Sequence, residues 1–283
     1  MSGLRGALGH AARRAGLESP LRRARALARP LARRIDLLRT ITVRSGPAAG
    51  MRLARADASN AYADGTVEAA VQRAVAESLR PGGVFVDVGA NVGFFSLLAA
   101  RHLGARGTIV AFEAHPRVAA TLRRNLARNS VRADVRAVAV GAVDGRTTLH
   151  VAAHPGGSTI AADAATDEVS RVAVDVVTLD RLVEAGSIPV PDVVKIDVEG
   201  AEDAVLDGME RTALAHAPTL VIELDDEHAE RLERRVAATT ARLIAWGYEV
   251  DRLPDGYEGA GWSVAHLLAE RADRSTGPGS RPL

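Results

Sequence analysis

Short apolar runs alternate with helically spaced apolar positions through the middle of this chain, and the clearest instance lies near residue 90. Residues 84–88 are apolar except for Asp87, which is typical of a parallel strand covered on both faces. Apolar side chains then recur at helical spacing over residues 94–98. Gly89 and Gly93 bracket the tight turn between these segments. The stretch therefore predicts a buried strand, a glycine turn and the first turns of a helix.

The same alternation continues on both sides of this stretch. It predicts short strands within 41–64 that cap the main sheet and a helix over 66–79 with Thr66 as its N-cap. It also predicts strands at 108–112, 134–140 and 193–196, a further strand end within 220–226, and helices at 118–129 and 227–246. Alternating polar and apolar positions at 147–151 and 172–176 predict a β-hairpin pair. Strands that alternate with helices indicate an α/β fold.

The composition limits the classes of protein to which the chain can belong. A length of 283 residues allows one large domain or one domain with appendages, and 47% hydrophobic residues supply a sizeable core. The absence of cysteine excludes a disulfide framework, thiolate metal sites and cysteine nucleophiles. It also fits a reducing compartment, so we expect a cytoplasmic protein. Since no apolar run reaches about 18 residues, we expect no membrane span.

A strongly basic N-terminal segment precedes an acidic remainder. Residues 1–44 contain eleven arginines against Glu18 and Asp36, whereas residues 45–283 contain 25 basic and 33 acidic residues. Three interpretations of this arm stay open: a disordered or packed leader, a contact with a membrane surface or polyanion, and a targeting peptide. The absence of an apolar h-region argues against secretion. We expect an arm at 1–44, a domain at 45–270 with a short N-terminal cap at 45–80, and a flexible tail at 271–283.

The glycine turn indicates what kind of ligand the domain binds. The turn reads Gly-x-x-x-Gly, and Asn91 stands where a dinucleotide-binding turn needs its second glycine. A pyrophosphate is therefore disfavoured. A nucleoside with an amino-acid tail and a cationic centre suits Asp87 beside the turn better, which points to S-adenosylmethionine. The alternative is a glycine pair that only packs a helix against a strand.

Acidic residues stand at the ends of successive predicted strands. Glu113 closes the strand after the glycine turn, and a carboxylate there can accept both hydroxyls of a ribose, although NAD enzymes share this feature. Each acid alone could instead favour a helix N-terminus, and His115 is expected to be a cap or a surface residue and not a catalyst. Because parallel strands end at the same rim of a sheet, we expect one site to contain Asp87, Glu113, Asp197 and Glu223.

Two further stretches contribute candidate residues. Lys195 and Asp197 lie on the same face of their strand, because side chains alternate along a strand. The loop over 154–168 is rich in Gly, Ser, Thr and Ala, and it is either disordered or in contact with the substrate through Ser158 and Thr159.

These motifs together resemble the FkbM family of S-adenosylmethionine-dependent methyltransferases. The resemblance covers about residues 66–225 and rests on Phe-Val-Asp-Val-Gly-Ala-Asn-Val-Gly at 85–93, Ala-Phe-Glu-Ala-His-Pro at 111–116, Asn125 with Asn129, Thr-Leu-Asp at 178–180, Lys-Ile-Asp-Val-Glu-Gly-Ala-Glu at 195–202, and Glu223. Ala114 departs from the family, which usually has proline there. The arm lies outside the resemblance.

The resemblance implies a fold and an activity. It implies a Rossmann-like seven-stranded methyltransferase sheet, mostly parallel with an inserted antiparallel last strand and with helices on both faces. Residues 246–251 and 261–268 would supply the last two strands. The implied activity is O-methylation of a hydroxylated small molecule such as a sugar or natural product. The residues implied to surround the methionine part are Asp87, Gly89, Asn91 and Gly93. Glu113 would hold the ribose, and Asp197 would face the methionine amine or the reacting centre.

A neutral alcohol that attacks the methyl carbon in line must lose its proton. Glu199, Asp197 and Glu223 are candidate bases, and Lys195 is another if burial lowers its pKa; otherwise it forms a salt bridge among the acids. Mg²⁺ is a less favoured addition, with the ligands Asp197, Glu223, Asp225 and Asp226. Two other function classes stay open, an NAD-type oxidoreductase and a non-catalytic nucleoside-binding module. We expect no nucleic acid partner, and the sequence leaves the acceptor and the oligomeric state open.

Overall fold

Strands and helices alternate through most of the described chain. The computed structural model describes residues 39–55, 60–152, 158–162, 168–254 and 263–271. Within these residues the strands are β1 (Thr40–Thr42), β2 (Arg52–Ala54), β3 (Val84–Val88), β4 (Thr108–Phe112), β5 (Asp134–Arg136), β6 (Ala139–Val140), β7 (Gly145–Ala152), β8 (Glu168–Val177), β9 (Val193–Ile196), β10 (Thr219–Asp226), β11 (Glu249–Leu253) and β12 (Ser263–Glu270). The helices are α1 (Asn60–Asp64), α2 (Ala69–Ser78), α3 (Phe94–Leu103), α4 (Pro116–Arg128), α5 (Leu179–Glu184), α6 (Glu202–Asp207), α7 (Glu210–His216) and α8 (Ala229–Ala245).

A seven-stranded sheet forms the centre of the fold. Its strands lie in the order β11-β12-β10-β9-β3-β4-β5. The pairs from β10 through β9, β3 and β4 to β5 are all parallel, whereas β12 is antiparallel to both β10 and β11. The predicted Rossmann-like sheet with an inserted antiparallel strand is therefore confirmed.

Helices cover both faces of this sheet because successive side chains of its strands point to opposite sides. Phe85 packs into one core with residues of α2, α3 and α4, while its neighbour Val86 packs into a second core with residues of α5, α7 and α8. All four residues of β9 are buried. The continuous apolar runs of the sequence thus correspond to strands covered on two faces. None of the helices in the described ranges is long and apolar enough to cross a membrane.

A second, three-stranded sheet interrupts the predicted third strand. The predicted hairpin pair is confirmed, since β7 and β8 pair antiparallel, and β6 pairs with β8 in the order β6-β8-β7. The single strand predicted over 134–140 is wrong. The chain leaves the main sheet after Arg136 and joins the smaller sheet at Ala139, because β8 offers Ala139 and Val140 a parallel partner.

The N-terminal part of the domain differs from its prediction in two ways. Short strands are present, but β1 and β2 form a separate antiparallel hairpin that contacts α4 instead of capping the main sheet. The helix predicted over 66–79 begins only at Ala69. The residue before it, Glu68, adopts a left-handed conformation with φ of 45° and makes no side-chain cap, so Thr66 as N-cap is wrong. A turn of the chain at Glu68 replaces the expected first helical turn.

Candidate functional site

The glycine turn after β3 presses closely against the end of β9. Gly89 has φ of 82° and Gly93 has φ of 90°, in the left-handed region that favours glycine. A Cβ on Gly89 would lie 1.7 Å from the carbonyl oxygen of Asp197. The backbone N–H groups of Gly89 and Ala90 both donate to the carbonyl of Phe112. The turn therefore requires glycine at position 89, and it brings the ends of β3, β4 and β9 together.

Glu113 is fixed at the end of β4 by two backbone N–H groups. Its Oε2 accepts from Asn91 at 2.9 Å, and its Oε1 accepts from His115 at 2.7 Å. Burial raises the pKa of Glu113 to about 7, although these two hydrogen bonds oppose the rise. His115 is the N-cap of α4, as expected, with Nδ1 accepting from the N–H of Arg117. The carboxyl group is thus held in place with lone pairs to spare.

Asp87 points into the protein beside the turn. Its side chain is 1% exposed, and its Oδ2 accepts a 2.6 Å hydrogen bond from the hydroxyl of Ser96 on α3. Burial raises the pKa of Asp87, while Lys195 and the Ser96 hydrogen bond oppose that rise. Asp87 therefore links the glycine turn to the first helix after it.

Lys195 forms a buried ion pair with Asp197. The distance from Nζ to Oδ2 is 2.7 Å, and Nζ also lies 4.5 Å from the centre of the Phe95 ring. Burial disfavours the ammonium form, but the neighbouring carboxylates, led by Asp197 and Glu68, outweigh it and hold the pKa of Lys195 above its usual value. The condition under which Lys195 would act as a base, a lowered pKa, is therefore not met.

Glu223 is paired across the sheet with His266 of the antiparallel strand β12. The distance from His266 Nε2 to Glu223 Oε2 is 2.9 Å, and Nε2 lies 4.0 Å from Oε2 of Glu68. Burial, followed by the charge of Asp197, raises the pKa of Glu223 well above its usual value. Sequence reasoning missed Glu68, His266 and the nearby Tyr62. They carry no local motif and reach the site only through long-range packing.

Glu199 occupies a strained turn directly after β9. It is a non-glycine residue with φ of 55°, and its side chain lines a cavity at the strand ends. Burial raises the pKa of Glu199 to about 10, and the charges of Asp197, Asp225 and Glu223 add to the effect. The carboxyl group of Glu199 is therefore protonated at neutral pH while no cation lies beside it.

The four acids predicted as Mg²⁺ ligands are not assembled into one cluster. Asp225 and Asp226 are consecutive on β10 and so point to opposite faces of the sheet. Asp226 accepts from Arg231 and from the N–H of His228. In the part of the chain that the structure describes, the side chains close enough to share a metal ion are Glu68, Glu223 and His266. The arrangement gives no support to the predicted ligand set.

Two neighbouring cavities open where the strands end, and Gly89, Asn91 and Asp197 line both. The larger cavity is also lined by Glu113, His115, Val118, Val138, Ala139, Leu149, Ser158, Thr159, Ile160 and Glu199. The smaller cavity is also lined by Tyr62, Glu68, Asp87, Phe94, Phe95 and Lys195. The predicted cofactor residues thus meet around one turn, which Gly93 closes by donating its N–H to the carbonyl of Ala90. Glu223 lines neither cavity and lies within electrostatic range of Asp197 and Lys195.

The loop predicted to contact substrate is described only in part. Ser158 and Thr159 line the larger cavity, and Thr159 pairs its backbone with His150 of β7. The rest of that loop, at 153–157 and 163–167, lies outside the described residues. So does most of the basic arm, at 1–38, and most of the C-terminal tail, at 272–283.

Part of this chain is similar in sequence to a known protein family and to known proteins. Residues 87–250 match the Methyltransferase FkbM domain. The chain is 33% identical over 177 residues to the 31-O-demethyl-FK506 methyltransferase FkbM of Streptomyces tacrolimicus, covering 52% of this chain and 67% of that protein. It is 32% identical over 157 residues to the hexuronic acid methyltransferase AglP of Haloferax volcanii, covering 54% of this chain and 61% of that protein.

Two further similarities are more distant. The AMB antimetabolite synthetase AmbE of Pseudomonas aeruginosa is 27% identical over 241 residues, which is 69% of this chain and only 11% of that protein. A crystal structure of methyltransferase FkbM from Methylobacillus flagellatus is 18% identical, with a TM-score of 0.47 over 70% of this chain and 50% of that one. The chain thus spans only part of the length of the relatives that it matches.

Proposed function

The chain belongs to the FkbM methyltransferase family, and we propose that it transfers the methyl group of S-adenosylmethionine to a hydroxyl group of a sugar or natural-product-like small molecule. The observation that carries the proposal is Glu113, held by Asn91 at the wall of a cavity that Asp197 also lines. The names of two relatives, a 31-O-demethyl-FK506 methyltransferase and a hexuronic acid methyltransferase, support an oxygen acceptor and a sugar acid, respectively.

The larger cavity has the chemistry that the nucleoside part of this cofactor needs. Each oxygen of Glu113 accepts one backbone N–H and keeps a lone pair for a ribose hydroxyl. Val118, Val138 and Leu149 supply an apolar wall for a base. The methionine part is assigned to the surface formed by Gly89, Asn91, Gly93 and Asp87, with Asp197 towards its amine or the reacting centre.

The proposed chemistry needs a proton acceptor for the attacking hydroxyl. When bound, S-adenosylmethionine supplies a methyl group on a sulfonium, which is a good leaving group. The attacking hydroxyl would pass its proton to the accepting carboxylate as its oxygen bonds to the methyl carbon, while the carbon–sulfur bond breaks and its electron pair stays on sulfur as a neutral thioether. Among the predicted catalytic carboxylates, Asp197 and Glu199 line the larger cavity, and Asp197 is already paired with Lys195. We therefore assign proton acceptance to Glu199. The ion pair of Lys195 and Asp197 sets the charge beside it, and Glu223 acts on it through its charge from outside the cavity.

The raised pKa of Glu199 agrees with this assignment if a cation binds beside it. A pKa of about 10 leaves the carboxyl group protonated in the free protein. A positive charge placed within a few ångströms favours the ionised form and lowers the pKa towards neutrality. Glu199 thus becomes a competent base only when the positively charged cofactor is present.

Two measurements test the proposal. Calorimetric titration with S-adenosylmethionine should show binding, and titration with NAD should show none; preferential binding of NAD would reassign the site to an oxidoreductase. Transfer of a labelled methyl group should then be screened over hydroxylated sugars and natural products. Glu199→Gln should bind the cofactor normally yet lose at least a hundredfold in turnover, the usual range for a general base. Glu210→Gln, which removes a carboxylate on α7, is the matched control and should keep full turnover.

A further inference from the structure

Three buried ionisable side chains from three separate elements meet beside the smaller cavity. Glu223 of β10 lies directly opposite His266 of β12 in the antiparallel register, so their side chains share one face of the sheet. Val71 of α2 packs into the same core as Val221 of β10, which precedes Glu223 by two residues and points to that face. Glu68, the residue before α2, therefore reaches the pair from the helix that covers it.

The three side chains offer one nitrogen and two oxygens at the spacing of metal ligands. Nε2 of His266 lies 2.9 Å from Oε2 of Glu223 and 4.0 Å from Oε2 of Glu68. One ligand atom from each of the three lies within 4.8 Å of the other two. Bonds of about 2.0–2.2 Å to a tetrahedral zinc ion place two ligand atoms roughly 3.4 Å apart. The two separations from Nε2 bracket this value, so small side-chain rotations would bring the three atoms around one ion.

Burial makes a counter-charge valuable at this point. His266 is 1% exposed and Glu68 is 6% exposed. The charges that act on Glu68 include the negative charges of Glu223 and Asp197 and the positive charge of Lys195. The ammonium group of Lys195 is paired with Asp197, so several carboxylates share it. Buried carboxylates are stable when they are paired or coordinate a metal, and a divalent cation would add the positive charge that this group needs.

The ligand types indicate which ion fits. The chain contains no cysteine, so one imidazole and two carboxylates are the whole donor set at this point. Imidazole suits zinc and its neighbours among the transition metals, whereas Mg²⁺ and Ca²⁺ prefer oxygen ligands alone. Three protein ligands leave the fourth tetrahedral position of zinc for water or another small ligand. Glu68 lines the smaller cavity beside Tyr62, and that cavity gives an ion a path to the ligands.

We propose that Glu68, Glu223 and His266 together bind one Zn²⁺ ion. The ion joins the turn before α2 to the antiparallel strands β10 and β12, and it replaces a group of buried charges with three metal–ligand bonds. This ligand set shares only Glu223 with the Mg²⁺ ligands predicted from the sequence. The inference is independent of the proposed methyl transfer, because zinc binding is measured without cofactor or acceptor.

Zinc binding by the full chain, first stripped of metal with a chelator, tests the site. Competition against a chromophoric chelator should show one zinc ion bound per chain. Glu68→Gln, Glu223→Gln and His266→Gln each remove one ligand and should each weaken zinc binding at least about tenfold. The matched control is His150→Gln, which removes an imidazole paired with the carboxylate of Glu168 and should bind zinc as the parent does. No binding by the parent, or an equal loss in the control, would overturn the proposal.

Two further measurements separate loss of a ligand from loss of the fold. Zinc should raise the thermal unfolding midpoint of the parent and of His150→Gln, because it binds the folded chain, and should leave the midpoint of Glu68→Gln unchanged. A cooperative unfolding transition in Glu68→Gln without metal establishes that this variant is folded. Mg²⁺ at about a thousandfold excess should fail to displace zinc from the parent. Displacement by Mg²⁺, or a zinc-dependent rise of the midpoint in folded Glu68→Gln, would contradict the assigned ligands.

Discussion

The backbone N–H of Asn91 donates a 2.9 Å hydrogen bond to Oε2 of Glu113, which ties the glycine turn after β3 to the end of β4. This bond places a partly buried carboxyl group beside the turn, at the wall of the larger cavity. It also fixes the orientation of Glu113 before any ligand arrives. The proposed ribose contact therefore needs little reorganisation of this side chain on binding.

Removal of the charge at Glu113 should weaken cofactor binding. Glu113→Gln keeps the size of the side chain but replaces charge-assisted acceptors with a neutral amide, so S-adenosylmethionine should lose about 2 kcal/mol, or roughly thirtyfold, in calorimetric affinity. Asp134→Asn, on the exposed neighbouring strand β5, is the control and should bind normally. Equal affinity for Glu113→Gln and the parent would refute the ribose assignment.

Cofactor affinity should depend on pH through Glu113. Its pKa is about 7, and only the ionised carboxylate accepts both ribose hydroxyls, so affinity should rise as pH increases. Between pH 6 and pH 8 we expect roughly a tenfold gain, because the ionised fraction grows by that factor. Glu113→Gln should abolish this part of the profile. A gain of the same size in the variant would assign the titration to another group.

The same raised pKa predicts the sign of a stability effect. Because the pKa of Glu113 in the folded protein exceeds its value in the unfolded chain, its ionisation opposes folding. The contribution of Glu113 to the free energy of unfolding is therefore most favourable below about pH 4.5, where the carboxyl group is protonated. This contribution is lost as pH rises through about 7. Denaturant titrations at pH 5 and pH 8 should therefore show a smaller loss of unfolding free energy in Glu113→Gln than in the parent. An equal loss would contradict the raised pKa of this carboxyl group.

Glycine at position 89 should be irreplaceable for a steric reason. Gly89→Ala places a Cβ within 1.7 Å of the carbonyl oxygen of Asp197 and adds the strain of a positive φ, so it should disturb the turn and abolish detectable cofactor binding. Gly186→Ala, after α5, has a positive φ of 63° but meets nothing within 4 Å, and it should cost only about 1 kcal/mol of stability and leave binding intact. Binding of the cofactor by Gly89→Ala would contradict the close contact.

Lys195 should contribute to stability as the counter-charge of the site. Lys195→Met removes the buried ammonium and leaves Asp197 and its acidic neighbours without it, so the unfolding free energy should fall by about 3 kcal/mol in urea titration. Lys195→Met/Asp197→Asn removes both partners and should recover part of that loss, while still failing to support turnover. A double variant less stable than the single one would contradict the pairing.

Much of the site follows from local pattern. A buried strand before a glycine turn, repeated with acids at each strand end, places Asp87, Glu113 and Asp197 at one rim, because parallel strands must end on the same side of a sheet. Hydrophobic periodicity of this kind is contained within ten or fifteen residues, and it needs no knowledge of distant partners. The family resemblance rests on these same local stretches.

Errors arose where a distant partner decided the outcome. The strand expected over 134–140 is divided because β8, more than 30 residues later, pairs with its second half. The first turn of the helix expected from Thr66 is absent because Glu68 turns into the buried charged cluster. The residues 134–140 alone do not indicate that β8 will pair with their second half, and the residues around Thr66 alone do not indicate that Glu68 will be buried.

Side-chain period and backbone freedom are local properties, so the residues alone predict most of the strands and helices, the glycine turn and the acids at the strand ends. The grouping of Glu223 with His266 and Glu68, the pairing of Lys195 and the strongly raised pKa of Glu199 are visible in the folded protein alone. These properties depend on strand pairing between residues far apart and on burial of charge. Both arise only when the whole chain has packed.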